Sequence, residues 1–189
     1  MEDDDEADLH NELEAMDRAL AVHEAGHSVV AQALGAEVVY VEIDLGTGNG
    51  GSRSSEFDDQ IKNLAVCVAG CRAEHLLDAP ALRKTKIADF RLMRELLARL
   101  PEAKRRGARV AGYQLADETL KANADAVRRI ADELLDRRWK ADTTVVRIEG
   151  DELIALLGGA RGRGAVDVKD EWLGYWCHPE RLSGALAKT

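Results

Sequence analysis

The sequence predicts a mostly α-helical domain of the α+β class, with a short β-strand or hairpin after its first helix. Apolar residues recur at intervals of three and four over several long segments, as helices with one buried face require. Residues 37–43 (EVVYVEI) combine alternation with β-branched side chains, the pattern of a strand. A chain of 189 residues suits one domain with a short appendage.

Charge separates an acidic N-terminal end from a balanced remainder of the chain. Residues 1–17 hold nine Asp or Glu and no Lys or Arg, so this end accounts for the formal net charge of −9. We expect a disordered acidic N-terminus over residues 1–11, a folded domain over 12–157 and a C-terminal tail with aromatic residues over 158–189. No basic face is visible in the order of charges, so nucleic acid is not an expected partner.

The chain shows no signal for export or membrane insertion. Its first residues are acidic rather than basic and apolar, unlike a secretory signal peptide. No apolar run reaches the roughly eighteen residues that a transmembrane helix needs. Three cysteines, Cys67, Cys71 and Cys177, are too few for a disulfide framework in a chain of this size. We therefore expect a cytoplasmic, reduced protein with no membrane partner.

Periodicity and helix-ending residues place the remaining elements. Gly35 follows the last apolar turn of the first helix and is a candidate C-cap. The Gly- and Ser-rich residues 45–55 predict a loop or a hairpin turn. In chain order we predict helices at 57–77 and 88–100, a solvated basic connector near 104–109, one long helix at 117–139, an extended piece at 143–148 and a last helix at 151–157.

The first helix carries an H-E-x-x-H motif formed by His23, Glu24 and His27. Side chains four residues apart lie one turn above each other on the same helix face. Both imidazoles can therefore reach one Zn²⁺ ion, and Glu24 can take a proton from a water bound to it. Two surface histidines brought together by chance are the alternative. The apolar, helix-periodic residues around the motif favour the metal site, and the small Gly26 would let another segment or a substrate approach the metal.

Zinc held by two histidines needs a third protein ligand. No third histidine follows in the pattern H-E-x-x-H-x-x-G-x-x-H. One candidate is Glu74, which forms E-x-x-x-D with Asp78 and resembles the ligand helix of thermolysin-like enzymes. Another is Asp89, whose alternative role is to cap the third helix. The remote options are the histidines outside the motif, His10, His75 and His178.

Cys67, Cys71 and His75 lie on one line of the second predicted helix, at four-residue spacing. A second metal site is one interpretation of this pattern. Thiols buried in a packed helix are the more common outcome, and we expect it here.

Four segments, in this order, resemble the peptidase domain of the FtsH-type ATP-dependent zinc proteases. The metal-binding helix of the family resembles AVHEAGHSVVAQAL, and its next helix, with a G-G-R-A-A-E-E core, resembles LAVCVAGCRAEHLLD. The family segment that carries an aspartate ligand within G-A-S-N-D-L resembles TKIADFRLMRELLARL. The closing helices resemble the stretch from ANADAVRRIADELLDRRW to IEGDELIALL. The resemblance covers residues 13–157.

The resemblance implies a zincin-like metalloendopeptidase that hydrolyses peptide bonds of protein or peptide substrates. By this resemblance His23, His27 and Asp89 ligate Zn²⁺ and Glu24 is the general base. Glu74 then becomes a buried polar residue that supports a ligand rather than a ligand itself. The family also implies a separate ATPase partner or self-association into a ring.

The chain departs from the family in ways that keep a second interpretation open. We expect a stand-alone domain without the ATPase module or the membrane anchor of the family. Lys86 and Ala88 replace the Gly and Asn of the family pattern. A catalytically inactive, zinc-stabilised binding or regulatory domain with the same fold is therefore the alternative, and a helical domain without metal is a third. For the peptidase, we predict that the strand at 38–43 pairs with an extended substrate.

Overall fold

A computed structural model describes the backbone of residues 2–81, 83–140 and 143–158, and their side chains from residue 11 onward except at position 84. The fold is mostly helical with one small antiparallel sheet, which confirms the predicted class. The elements are α1 (Glu2–Ala33), β1 (Val38–Asp44), β2 (Asn49–Ser54), α2 (Gln60–Leu76), α3 (Arg83–Ala98), α4 (Glu102–Ala122), α5 (Ala124–Lys140), β3 (Val145–Glu149) and α6 (Gly150–Leu156).

The second half of α1 is the centre of the domain. It packs against α2, α5 and the sheet, and residues 19–32 are all buried. A helix that is covered on every side must bury its polar residues as well as its apolar ones. The H-E-x-x-H motif therefore lies inside the protein, whereas the periodicity predicts a helix with only one buried face.

The motif helix touches α2 through Gly26. A Cβ at this position would lie 2.6 Å from Ala73 Cβ and 2.9 Å from the carbonyl oxygen of Ala69. Only a residue without a side chain allows the two helices to cross this closely. The predicted close approach at Gly26 is thus made by another segment of the chain.

Gly35 ends α1 in the left-handed conformation, with φ of 98°. The N–H of Ala36 donates to the carbonyl oxygen of Ala31 at 2.9 Å, the long-range hydrogen bond of a Schellman motif. This confirms the predicted C-cap.

The three strands form an antiparallel sheet in the order β2-β1-β3. The hairpin turn between β1 and β2 is held by Asp44, whose side chain accepts hydrogen bonds from the backbone N–H groups of Gly46 and Thr47. The turn confirms the sequence prediction, but the glycine-rich residues after it form strand β2 rather than a loop. Since β1 has a neighbour on each side, the prediction that this strand pairs with a substrate is wrong.

The predicted start of α3 is wrong. The helix begins at Arg83, so Asp89 lies in its middle and does not cap its first turn. In the middle of the helix the Asp89 side chain is not needed to cap the first turn. It lies on the face of α3 that packs into the core.

The long helix predicted over residues 117–139 is two helices, α4 and α5, separated by Asn123. The Asn123 side-chain amide donates to the carbonyl oxygen of Thr119 at 2.8 Å, a local hydrogen bond that competes with helix continuation. The basic residues near 104–109 lie on α4 and not in a connector. Their side chains are exposed, as expected for a solvated cluster: Lys104, Arg105, Arg106 and Arg109.

The described residues include the predicted N-terminal segment but almost none of the predicted C-terminal tail. The backbone of residues 2–11, for which the sequence predicts disorder, continues α1. The aromatic tail predicted over 158–189 lies, apart from Gly158, outside the described residues. None of the helices within the described ranges combines the length and the apolar run of a membrane span.

Candidate metal centre

Three predicted ligands converge in the core. His23 and His27 on α1 bring their Nε2 atoms to 3.1 Å from each other. Asp89 on α3 places Oδ2 at 3.3 Å from His23 Nε2 and Oδ1 at 3.5 Å from His27 Nε2. The exposed fraction of these residues is at most 3%.

The outer nitrogen of each imidazole has a partner that fixes its tautomer. His27 Nδ1 lies 2.7 Å from the carbonyl oxygen of Val66, which can only accept, so Nδ1 carries a hydrogen. His23 Nδ1 lies 2.8 Å from Glu74 Oε1, and a carboxylate again requires a hydrogen on the nitrogen. In the neutral rings both Nε2 atoms are therefore free lone pairs, the form in which histidine binds a metal.

This donor set fits a zinc ion. At Zn–N and Zn–O distances of about 2.0–2.1 Å, tetrahedral ligands lie roughly 3.3–3.4 Å apart, close to the separations between the atoms of His23, His27 and Asp89. Two lone pairs and a carboxylate at these separations repel one another unless a cation or protons lie between them.

Without a metal, protons take that place. Burial disfavours the charged form of His23, but its hydrogen bonds to Asp89 and Glu74 outweigh this and raise its pKa to about 10. The pKa of His27 is also raised, because the charge of Asp89 outweighs burial. For Asp89 burial acts to raise the pKa, but the two histidines outweigh it and hold the pKa below its usual value. The same residues thus attract positive charge to one point, whether it is carried by protons or by a metal.

Gly70 on α2 provides space for the His23 ring. A Cβ on residue 70 would lie 2.5 Å from His23 Nε2 and 2.6 Å from the two carbon atoms next to it. The α2 backbone therefore forms one wall of the metal position, and any larger residue at 70 would displace a ligand.

Glu24 is buried, and its carboxylate is not fully hydrogen-bonded. It is 1% exposed, and its Oε2 atom has no hydrogen-bond partner within the described part of the chain. Burial raises the pKa of Glu24, while His23 and His27 oppose this shift. Strand β2 covers this side chain at Gly50, where a Cβ would lie 2.7 Å from Glu24 Oε1.

Glu74 contacts the outer nitrogen of His23 and not the Nε2 atom that faces Asp89. Its Oε1 contacts the outer nitrogen of His23, and Lys86 Nζ lies 3.3 Å from its Oε2. Asp78 is exposed at the end of α2, with φ of 53°, so the E-x-x-x-D pair does not form a thermolysin-like ligand set. His75 is exposed, and the His10 side chain and His178 lie outside what the structure describes.

Cys71 is a residue of this site that the sequence prediction did not assign to it. Its Sγ lies 3.6 Å from Asp89 Oδ2. Ligand atoms of His23, Cys71 and Asp89 all lie within 4.8 Å of one another, a group that could hold a metal ion. The sequence does contain a signal, because Cys71 precedes Glu74 by three residues and so shares its helix face.

The second metal site considered for α2 does not form in the described part of the chain. Cys67 is buried and its thiol donates to the backbone carbonyl of Asp89 at 3.2 Å. His75 points to solvent and is not part of the metal-capable group. Burial raises the pKa of both α2 thiols, Cys67 and Cys71, and the charge of Asp89 adds to this shift.

A separate cavity of about 450 Å³ lies between α3 and α4. None of the metal-site side chains lines it, so this cavity is not an approach to the site. The lining residues are Phe90, Met93, Arg109, Val110, Tyr113, Gln114 and Asp117.

Comparison with models of known protein families and with curated proteins yields no match to this chain. Its relation to the FtsH-type peptidase domains therefore remains a prediction, carried by the residues and the order of motifs given above.

Proposed function

We propose that the protein is a zinc-dependent metalloendopeptidase, with His23, His27 and Asp89 as zinc ligands and Glu24 as general base. The observation that carries this proposal is the convergence of the two Nε2 lone pairs and the Asp89 carboxylate at separations of 3.1–3.5 Å. Three protein ligands leave a fourth tetrahedral position for water, as catalytic zinc sites require.

Glu24 favours catalysis over a purely structural role for the metal. Burying a carboxylate without full hydrogen bonding costs stability, on the order of 1–3 kcal/mol or more for a charged group. A structural zinc site gains nothing from such a residue. A hydrolase needs it, because a carboxylate beside the metal accepts the proton of the attacking water.

When bound, a zinc ion would lower the pKa of a coordinated water toward neutrality and polarise the scissile carbonyl. Glu24 would act as the general base, accepting a proton from the attacking water and donating it to the departing amine nitrogen. Glu74 and the Val66 carbonyl hold the two imidazoles in the tautomer that leaves Nε2 free. Burial strengthens all of these electrostatic contacts.

Strand β2 is the segment on which a substrate would bind. In the part of the chain that the structure describes, β2 pairs with β1 on one side only, and its other edge can accept an extended peptide. Gly50 brings this strand against Glu24, so a peptide on β2 lies near the general base.

The test is hydrolysis of an unfolded, fluorescently labelled protein by the zinc-loaded chain. Glu24→Gln should retain zinc and lose at least about 100-fold in turnover, the usual contribution of a general base. Glu118→Gln, which makes the same change at an exposed position on α4, should leave turnover unchanged. Turnover by Glu24→Gln equal to that of the wild type would overturn the proposal.

The second candidate is a zinc-stabilised binding or regulatory domain without activity. The burial of every ligand and the thiol of Cys71 beside Asp89 favour it. It predicts that zinc raises the melting temperature of the wild type while neither the wild type nor any metal-site variant cleaves the labelled substrate.

A further inference from the structure

Cys71 is the one described thiol at the metal position that the proposed mechanism does not use. It lies on α2 directly after Gly70, the residue that contacts the His23 ring. Its Sγ approaches the same Asp89 oxygen, Oδ2, that faces His23. The thiol is therefore next to the edge that His23 and Asp89 share, inside the ligand cluster.

The distances suit a ligand. A Zn–S bond of about 2.3 Å beside a Zn–O bond of about 2.0–2.2 Å places tetrahedral S and O ligands roughly 3.5–3.7 Å apart. The separation of Cys71 Sγ from Asp89 Oδ2 is 3.6 Å. A ring nitrogen of His23 lies within 4.8 Å of the sulfur, so the thiol lies within reach of a metal shared by His23 and Asp89.

Thiolate is among the strongest protein ligands for zinc, and it binds more tightly than water. We propose that Cys71 is a fourth zinc ligand, which competes with the hydrolytic water for the fourth position and so lowers turnover without abolishing it. This inference rests on the proposed zinc site. The sulfur–zinc bond replaces the S–H bond, the thiol proton passes to buffer, and no oxidation or reduction takes place.

Cys67 provides a matched control on the same helix. It lies one turn before Cys71, but its thiol donates to the Asp89 backbone carbonyl and not to a carboxylate oxygen. The remaining cysteine, Cys177, lies outside the described residues and serves as a second control. Of the two cysteines that the structure describes, only Cys71 belongs to the metal-capable group with His23 and Asp89.

The experiment replaces zinc with Co²⁺ and records the absorption spectrum of the full chain. A thiolate bound to Co²⁺ gives an intense charge-transfer band in the near ultraviolet, which nitrogen and oxygen ligands do not give. We expect this band in the wild type, in Cys67→Ala and in Cys177→Ser, and its loss in Cys71→Ser. Cys71→Ser should still bind one metal through His23, His27 and Asp89, with affinity at least about tenfold weaker.

The outcomes separate this inference from the proposed function. Stoichiometric Co²⁺ binding by the wild type without the band would overturn the role of Cys71 and leave the His–His–Asp site intact. A band that depends on Cys67 or Cys177 would overturn it as well. No Co²⁺ binding at all would overturn both proposals. If the site is a peptidase, Cys71→Ser should also cleave the labelled substrate faster than the wild type.

Discussion

Gly70 contacts the Nε2 edge of His23, so that a Cβ on residue 70 would lie 2.5 Å from His23 Nε2. The nitrogen that faces the proposed metal position is thus bordered by a residue without a side chain. The proposed site therefore needs open space at residue 70 as well as the imidazole.

Gly70→Ala should therefore weaken zinc binding without removing a ligand. The new methyl group forces the His23 ring away from Asp89, and we expect a loss of affinity on the order of 10- to 100-fold, the range found when a ligand's supporting contacts are removed. Competition with a chromogenic chelator measures it. Gly107→Ala is the control, because a Cβ at that position meets nothing within 4 Å. Equal affinity of Gly70→Ala and the wild type would show that His23 does not bind the metal in this orientation.

Glu74→Gln should weaken zinc binding by about 10- to 100-fold and still allow one zinc per chain. The amide keeps the shape of the side chain but removes the negative charge that raises the basicity of His23. The exposed Asp78→Asn should have no effect on affinity. Loss of stoichiometric binding in Glu74→Gln, with normal binding by Asp78→Asn, would identify Glu74 as a ligand rather than as a support of His23.

Gly50→Ala should reduce hydrolysis while zinc content stays the same. The added Cβ would lie 2.5 Å from Glu24 Cγ, so it displaces the general base and not a ligand. Misplacement of a catalytic group by about 1 Å can cost on the order of 100-fold in rate. Steady-state turnover and metal content on one preparation test this. A loss of zinc in this variant would mean that β2 supports the metal rather than Glu24.

Two glycines of α4 should respond in opposite directions to alanine. At Gly112 a Cβ would lie 2.8 Å from Leu64 Cβ on α2, so Gly112→Ala should lower the free energy of unfolding by about 1–3 kcal/mol through overpacking. Gly107 is exposed in the same helix, and Gly107→Ala should raise the free energy of unfolding by about 0.5–1 kcal/mol. Urea denaturation of the two variants measures both values. Stabilisation by Gly112→Ala would contradict the close α2–α4 packing.

The local pattern was sufficient to predict the His23–His27 pair, since its spacing is a property of one helix. The local pattern does not show that Asp89 lies beside this pair. That expectation comes from the resemblance to the FtsH-type family, in which the motifs follow the same order. Its position in the middle of α3 was not predicted, because no strong capping signal marks the start of that helix at Arg83. Helix boundaries without such caps are poorly determined by sequence.

Contacts between elements that lie far apart in the sequence could not be predicted from the sequence. Strand β3 follows β1 by about one hundred residues, and it pairs with the strand that was expected to pair with a substrate. The sequence predicts Cys71 as a core thiol because buried thiols on a packed helix are the more common outcome. Nothing in the local sequence shows that α3 brings Asp89 against it. Gly50 and Gly70 acquire their roles only through the atoms that they contact in other elements.

The ligand assignment depends most directly on the metal content of the purified chain, measured by elemental spectrometry. The chain is first equilibrated with a small excess of zinc, and the unbound metal is then removed. We predict one zinc per chain for the wild type, retention of zinc in Glu74→Gln and loss of zinc in Asp89→Ala, with circular dichroism to verify that each variant is folded. A folded Asp89→Ala protein that retains one zinc per chain, or a wild type that binds none, would contradict the proposed His23–His27–Asp89 site.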